Sequence, residues 1–117
     1  MKLNWIKCEG DQWCALMSVN LDGSHFDDMK GVYVIWHGGS DARTVRVGQG
    51  DIKDRLSAHR NDTSITRHGK NATLYATWAP AELQYRDGIE RYLFDSLKPL
   101  EGELAPAAKP IQVNLPS

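Results

Sequence analysis

Arg55 and His59 stand four residues apart, the spacing at which two side chains leave the same face of a helix. A guanidinium is planar, keeps its charge at any working pH and can grip two phosphate oxygens at once. An imidazole titrates near neutrality, so beside a phosphate it can accept or return a proton. Upstream, Tyr33 offers a phenol that can donate or accept, within a run so apolar that its ring is expected to be buried whatever its task. Arg46 carries a second guanidinium, able to clamp phosphate but unable to serve as a general base. Arg60, next to His59, is a third cation suited to phosphate. Glu90 follows at the edge of a downstream apolar stripe, with Glu82, Asp87 and Asp95 as further carboxylates on the same segment. Taken singly, each of these residues reads as a solvated charge or a core aromatic; their order along one short chain is what suggests a site.

The elements that would carry them can be read from pattern. Gly31 to Trp36 is apolar on both faces, as in a central buried strand. His37-Gly38-Gly39-Ser40-Asp41 is turn chemistry, and Thr44 to Gly48 returns as the second strand of an antiparallel hairpin. Strict alternation puts Val45 and Val47 on one face of that strand and Thr44 and Arg46 on the other. Gly48-Gln49-Gly50 would open a helix capped by Asp51 and running to about Asn61. Residues 61–71 read as a polar loop, and Ala72 to Trp78 as the third strand. Pro80 can begin the next helix, whose stripe is Ile89, Leu93 and Leu97 with Tyr92 alongside. Gly88 threatens a break in it, and Lys98-Pro99 ends it. The expected architecture is α/β of the α+β kind, a three-stranded antiparallel sheet flanked by helices. Residues 1–28 would form an N-terminal extension packed on a core domain of residues 29–102. Residues 103–117 would form an extended tail in which Ile111, Val113 and Leu115 alternate.

The ordered set Gly31-Val32-Tyr33, Arg46-Val47-Gly48, Arg55, His59 and Glu90 resembles the GIY-YIG nuclease family, from about Gly31 to about Pro99. The resemblance implies a small phosphodiesterase domain that cuts DNA with one divalent ion, Mg²⁺ or Mn²⁺. On that pattern Glu90 matches the family's metal ligand, Arg55 the arginine on the scissile phosphate, and His59 the His or Tyr one turn later. Tyr33 matches the first-motif tyrosine, one of the groups proposed to assist the attacking water. A single carboxylate suits Mg²⁺, which keeps much of its hydration and needs few protein ligands. Two departures are visible. Arg46 stands where the second motif has tyrosine, and the asparagine that usually follows the metal helix is missing from Pro99-Leu100-Glu101-Gly102-Glu103. Asn114 lies later and could fold back toward the site. The departures motivate an alternative, a degenerate module that binds nucleic acid or a protein partner without cleavage.

Composition narrows the rest. The chain has 117 residues, 41% hydrophobic and 25% charged, enough for one domain with one modest core. No apolar run approaches the ~20 residues that cross a bilayer, so no membrane partner is expected. The segment Met1 to Lys7 has no apolar stretch of the signal-peptide kind, and the expected location is cytoplasmic. Cys8 and Cys14 are then expected to be reduced thiols, their spacing being poor for zinc. His25, His37 and His68 fit no zinc pattern either. Walker, GxSxG and dinucleotide motifs are absent. Net charge is −1, but residues 43–70 carry seven Lys/Arg against three Asp, a basic middle on an acidic remainder. That asymmetry suits a face that meets phosphate.

Overall fold

The computed structural model describes residues 1–102 and 105–117. The first two residues of the expected tail therefore lie outside the described residues. Four antiparallel strands form one sheet in the order β1-β4-β2-β3: β1 (Cys14–Ala15), β2 (Lys30–His37), β3 (Arg43–Asp51) and β4 (Leu74–Pro80). The α+β class is as expected, but the count of three strands is not. The extra strand comes from the N-terminal extension, where Cys14 and Ala15 pair with Ala76 and Tyr75. Two residues are too few to leave an alternating pattern.

The sheet is buried on both faces. On one, α1 (Ile52–Arg60) and the short α2 (Thr63–Thr66) close over Tyr33, Ile35, Val45 and Trp78, with Leu16, Leu21 and Phe26 of the N-terminal segment. On the other, α3 (Leu83–Leu97) places Ile89 and Leu93 against Val32, Val34 and Val47, with Leu3 and Val113 filling the margin. This double burial explains why β2 is apolar on both sides. No helix among the described residues is long and apolar enough to cross a membrane.

Several local expectations are corrected. The pairing of β2 with β3 shifts register between Ile35 and Trp36, so Thr44 faces Trp36, Arg46 faces Ile35, and Val45 has no opposite residue. This bulge breaks the alternation: Val45 enters the α1 core while Val47 enters the α3 core. Gly48-Gln49-Gly50 does not itself open the helix, because β3 continues through it, pairing Gly48 with Tyr33 and Gly50 with Gly31. The helix cap is as expected: the Asp51 carboxylate accepts from the Asp54 amide at 3.1 Å. The supposed polar loop contains α2, capped by Asp62, which accepts from Ser64 N and Ser64 Oγ, and it buries Ile65 completely. Pro80 ends β4 opposite Gly31 and α3 starts at Leu83. α3 runs unbroken through Gly88, whose bare backbone lets the C-terminal segment approach and Ile111 N donate to Gly88 O at 2.9 Å.

The cysteines are not reduced. Cys8 and Cys14 form a disulfide that closes the turn leading into β1. Asn114 does not turn toward the catalytic candidates. Its carboxamide brackets Leu3, accepting from Leu3 N at 2.6 Å and donating to Leu3 O at 3.0 Å, and so joins the two ends of the described chain. On the outer side of β3, Leu100 N and Glu101 N donate to Thr44 O and Val45 O. Glu101 also accepts from Arg67 and lies 2.8 Å from His68 Nε2.

Candidate active site

β2, β3, α1 and α3 each deliver part of one cluster. Tyr33 leaves the middle of β2 toward α1 and is 1% exposed; His59 leaves the last turn of α1 and is 4% exposed. Their rings meet with Tyr33 Oη and His59 Nε2 2.6 Å apart, inside the protein. Gly48 makes that position possible: a Cβ there would stand 2.3 Å from the phenol oxygen. The glycine of Arg46-Val47-Gly48 is thus a steric requirement of the tyrosine of Gly31-Val32-Tyr33, its cross-strand partner.

Charged groups surround this buried pair. Burial drives the Tyr33 phenol above its usual value, while the neighbouring Arg55 and Arg46 guanidinium groups pull the other way and Glu90 adds to the rise. Burial likewise lowers the His59 imidazole to about 4, helped by the charges of Arg46 and Arg55. His59 is therefore neutral at neutral pH, which corrects the expectation of an imidazole titrating there. With both groups neutral and a guanidinium able only to donate, the consistent proton arrangement has Tyr33 donating to His59 Nε2 and accepting from the arginine side.

Glu90 projects from α3, half-buried. Burial raises its carboxyl above the usual range and Asp87 adds to that; the Gln49 amide, Arg46 and Arg55 oppose it. Asp87 lies one turn earlier on the helix and accepts from Gln49 Nε2 at 2.7 Å. Sequence reasoning singled out Asp87 only as an alternative to Glu90 and missed Gln49; its position beside Gly48 was the available signal. Two carboxylates with a bridging amide fit a hydrated divalent cation, since such an ion needs one or two carboxylates and would relieve the pressure on Glu90 to protonate. No group of three or more His, Cys, Asp or Glu converges anywhere among the described residues, here included, so a cation at this site would rest on two carboxylates and water.

Arg55 contributes one further observation. Its Nε is buried without a hydrogen-bond partner among the described residues. A guanidinium that is partly desolvated and incompletely satisfied is a strong anion-binding group. The fold brings Tyr33, Arg46, Arg55, His59 and Glu90 together. It does not bring Arg60, whose guanidinium donates to Leu16 O at 2.6 Å and to Val19 O, tying the N-terminal segment to α1. Of the histidines set aside, His25 accepts from Trp78 Nε1 at 3.0 Å, and His37 stacks on His68.

The displaced imidazole has a measurable consequence. In the unfolded chain His59 binds a proton near pH 6.5; in the folded chain it does so only near 4. Its contribution is thus fully present above pH 6.5 and lost as pH falls toward 4, about 3 kcal/mol between pH 7 and pH 4. Denaturant titrations of wild type and His59→Gln at pH 7 and pH 4 should differ by that amount in the acid loss of stability. An identical pH dependence in the two proteins would refute it.

No family model, curated protein or solved structure matches the chain, so the functional reading rests on the site's own chemistry and on the resemblance of its motifs.

Proposed function

We propose that this chain is a GIY-YIG-type endonuclease that hydrolyses DNA phosphodiester bonds with one Mg²⁺ or Mn²⁺ ion. The observation that carries the reading is the hydrogen-bonded Tyr33–His59 pair lying within the combined field of Arg46, Arg55 and Glu90. Arg55 and Arg46 would bind the phosphate oxygens and hold the charge that gathers there in the transition state. Glu90, with Asp87 beside it, would hold the cation. When bound, that ion supplies Lewis-acid stabilisation of the phosphate and of the leaving oxygen.

The chain's own residues account for the proton. Burial keeps His59 acidic and the two arginine charges add to it; a phosphate on the arginines offsets their share, so the imidazole's affinity for a proton rises when substrate is present. Water attacking phosphorus would pass its proton to Tyr33 Oη as the phenol hands its own to His59 Nε2. The P–O bond to the leaving strand breaks with its electron pair on the departing oxygen, which takes a proton from solvent, and the proton on His59 is returned to solvent. Arg46 is then a second clamp in place of a second phenol. The Cys8–Cys14 disulfide favours an oxidising compartment over the cytoplasm as the place of action.

One observation favours a second reading, a module that binds nucleic acid or a protein partner without cutting it. Arg46 cannot take a proton, and burial together with the charge of Arg46 keeps His59 a weak base. Incubation with single-stranded, duplex and branched DNA and Mg²⁺ or Mn²⁺ separates the two. Glu90→Gln should lower cleavage at least about 100-fold while leaving the fold intact. Salt-sensitive DNA binding with no cleavage by wild type would select the second reading.

A further inference from the structure

We infer that the aromatic pocket at the hairpin end of the sheet receives an unpaired base of a single strand whose backbone runs to the arginine site. The inference rests on the nucleic-acid reading above and adds the form of the substrate. The pocket encloses about 230 Å³ between Trp13, Trp36, Val34, Arg43, Leu97 and Pro116. Trp36 stacks on Tyr75 with ring centres 5.6 Å apart, and Trp13 meets Trp36 edge-to-face at 5.3 Å. Three aromatic rings therefore stand in a row. Lys7 Nζ lies 4.6 Å from the Trp13 ring centre, and Arg43 lines the opening. Indole faces flanked by cations are the chemistry by which proteins hold unpaired bases, because every base has a π-face and every base is followed by a phosphate.

Placement ties this pocket to the catalytic cluster. Leu97 is two helical turns beyond Glu90 on α3, so the pocket lies about 10 Å along the helix from the carboxylate. A strand of stacked nucleotides covers that distance in about three steps. Arg43 at the pocket and Arg46 in the cluster stand three residues apart on β3. A paired base in a duplex cannot present its face to Trp36, which is why the occupant must be unpaired or flipped out.

The test uses the full chain carrying Glu90→Gln, so that nothing is cut, titrated with a thymidine dodecamer and with an abasic oligonucleotide of equal phosphate number. Tryptophan fluorescence should be quenched by the thymidine strand and not by the abasic one. Adding Trp36→Leu should weaken binding of the thymidine strand about fivefold or more and leave the abasic strand unaffected. Trp13→Leu, outside the strands, gives the same comparison should Trp36→Leu fail to fold. Equal affinity of wild-type and substituted pockets for the thymidine strand, with Arg55-dependent binding retained, would overturn the pocket and spare the phosphate site. No binding of either strand would overturn both.

Discussion

Arg55→Leu should, on the proposed nuclease reading, lower DNA cleavage by at least about 100-fold, and it should leave the protein as stable as wild type or more so. The two halves of that expectation come from one fact. The Arg55 Nε is buried with no acceptor among the described residues, and a desolvated donor left unpaired costs about 1–3 kcal/mol. Leucine keeps the aliphatic packing of the side chain and removes the unmet donor. It also removes a positive charge beside His59, so the imidazole should titrate higher than about 4. Against this stands the loss of the contact with the Tyr33 phenol, which limits the gain. Active sites commonly hold groups that the fold would be more stable without. Thermal melts, nuclease assays and an NMR titration of His59 on the same variant check all three statements. A variant that is destabilised by more than about 2 kcal/mol, or that still cleaves, would show that Arg55 is a structural residue.

Gly31→Ala should destabilise the domain by about 3 kcal/mol or more, the largest effect expected of adding one methyl group anywhere in the sheet. A Cβ at Gly31 would lie 1.9 Å from the Ala79 carbonyl oxygen and 2.9 Å from its carbon. Both atoms are backbone of the neighbouring strand, so no side-chain rotation relieves the clash. The pairing of Gly31 with Pro80 and Gly50 places it between two neighbours in the centre of the sheet. Separation of β2 from β4 at that point would also carry Tyr33 away from His59. Urea denaturation of the variant gives the answer directly, and a loss below about 1 kcal/mol would mean that the strands part there at little cost. The glycine of the first motif is thus demanded by strand packing, whereas Gly48 is demanded by the phenol that lies over it.

What the sequence made legible follows from how local the cause was. The apolar run of β2, the Asp51 cap and the Ile89–Leu93 stripe are set by neighbours in sequence, and each is where the pattern put it. The convergence of Tyr33, Arg55, His59 and Glu90 was anticipated only through the ordered motifs, because helix spacing relates Arg55 to His59 and says nothing of Glu90. Features fixed by distant partners were not legible. The bulge at Val45 depends on the register with β2, and β1 exists because β4 has a free edge to accept two residues. Arg60 looked like its neighbours in charge; only the folded N-terminal segment reveals which carbonyls it satisfies. Nothing near Asn114 in the sequence points to its partner, Leu3, at the other end of the described chain. The disulfide was missed because spacing alone does not report whether two thiols face each other.

The segment Leu100–Glu101 along β3 bears on what that edge can offer another molecule. A sheet edge with free amides and carbonyls invites another molecule to extend it. On the β3 side two of those groups, Thr44 O and Val45 O, accept from the chain's own Leu100 N and Glu101 N. The other edge is only two residues long, too short to template a stable intermolecular ladder. The guard on β3 is fastened by Glu101, held acidic by His68 and Arg67. Release of that fastening, in strong acid or by loss of Glu101, would open those two carbonyls to the strand of a neighbouring molecule.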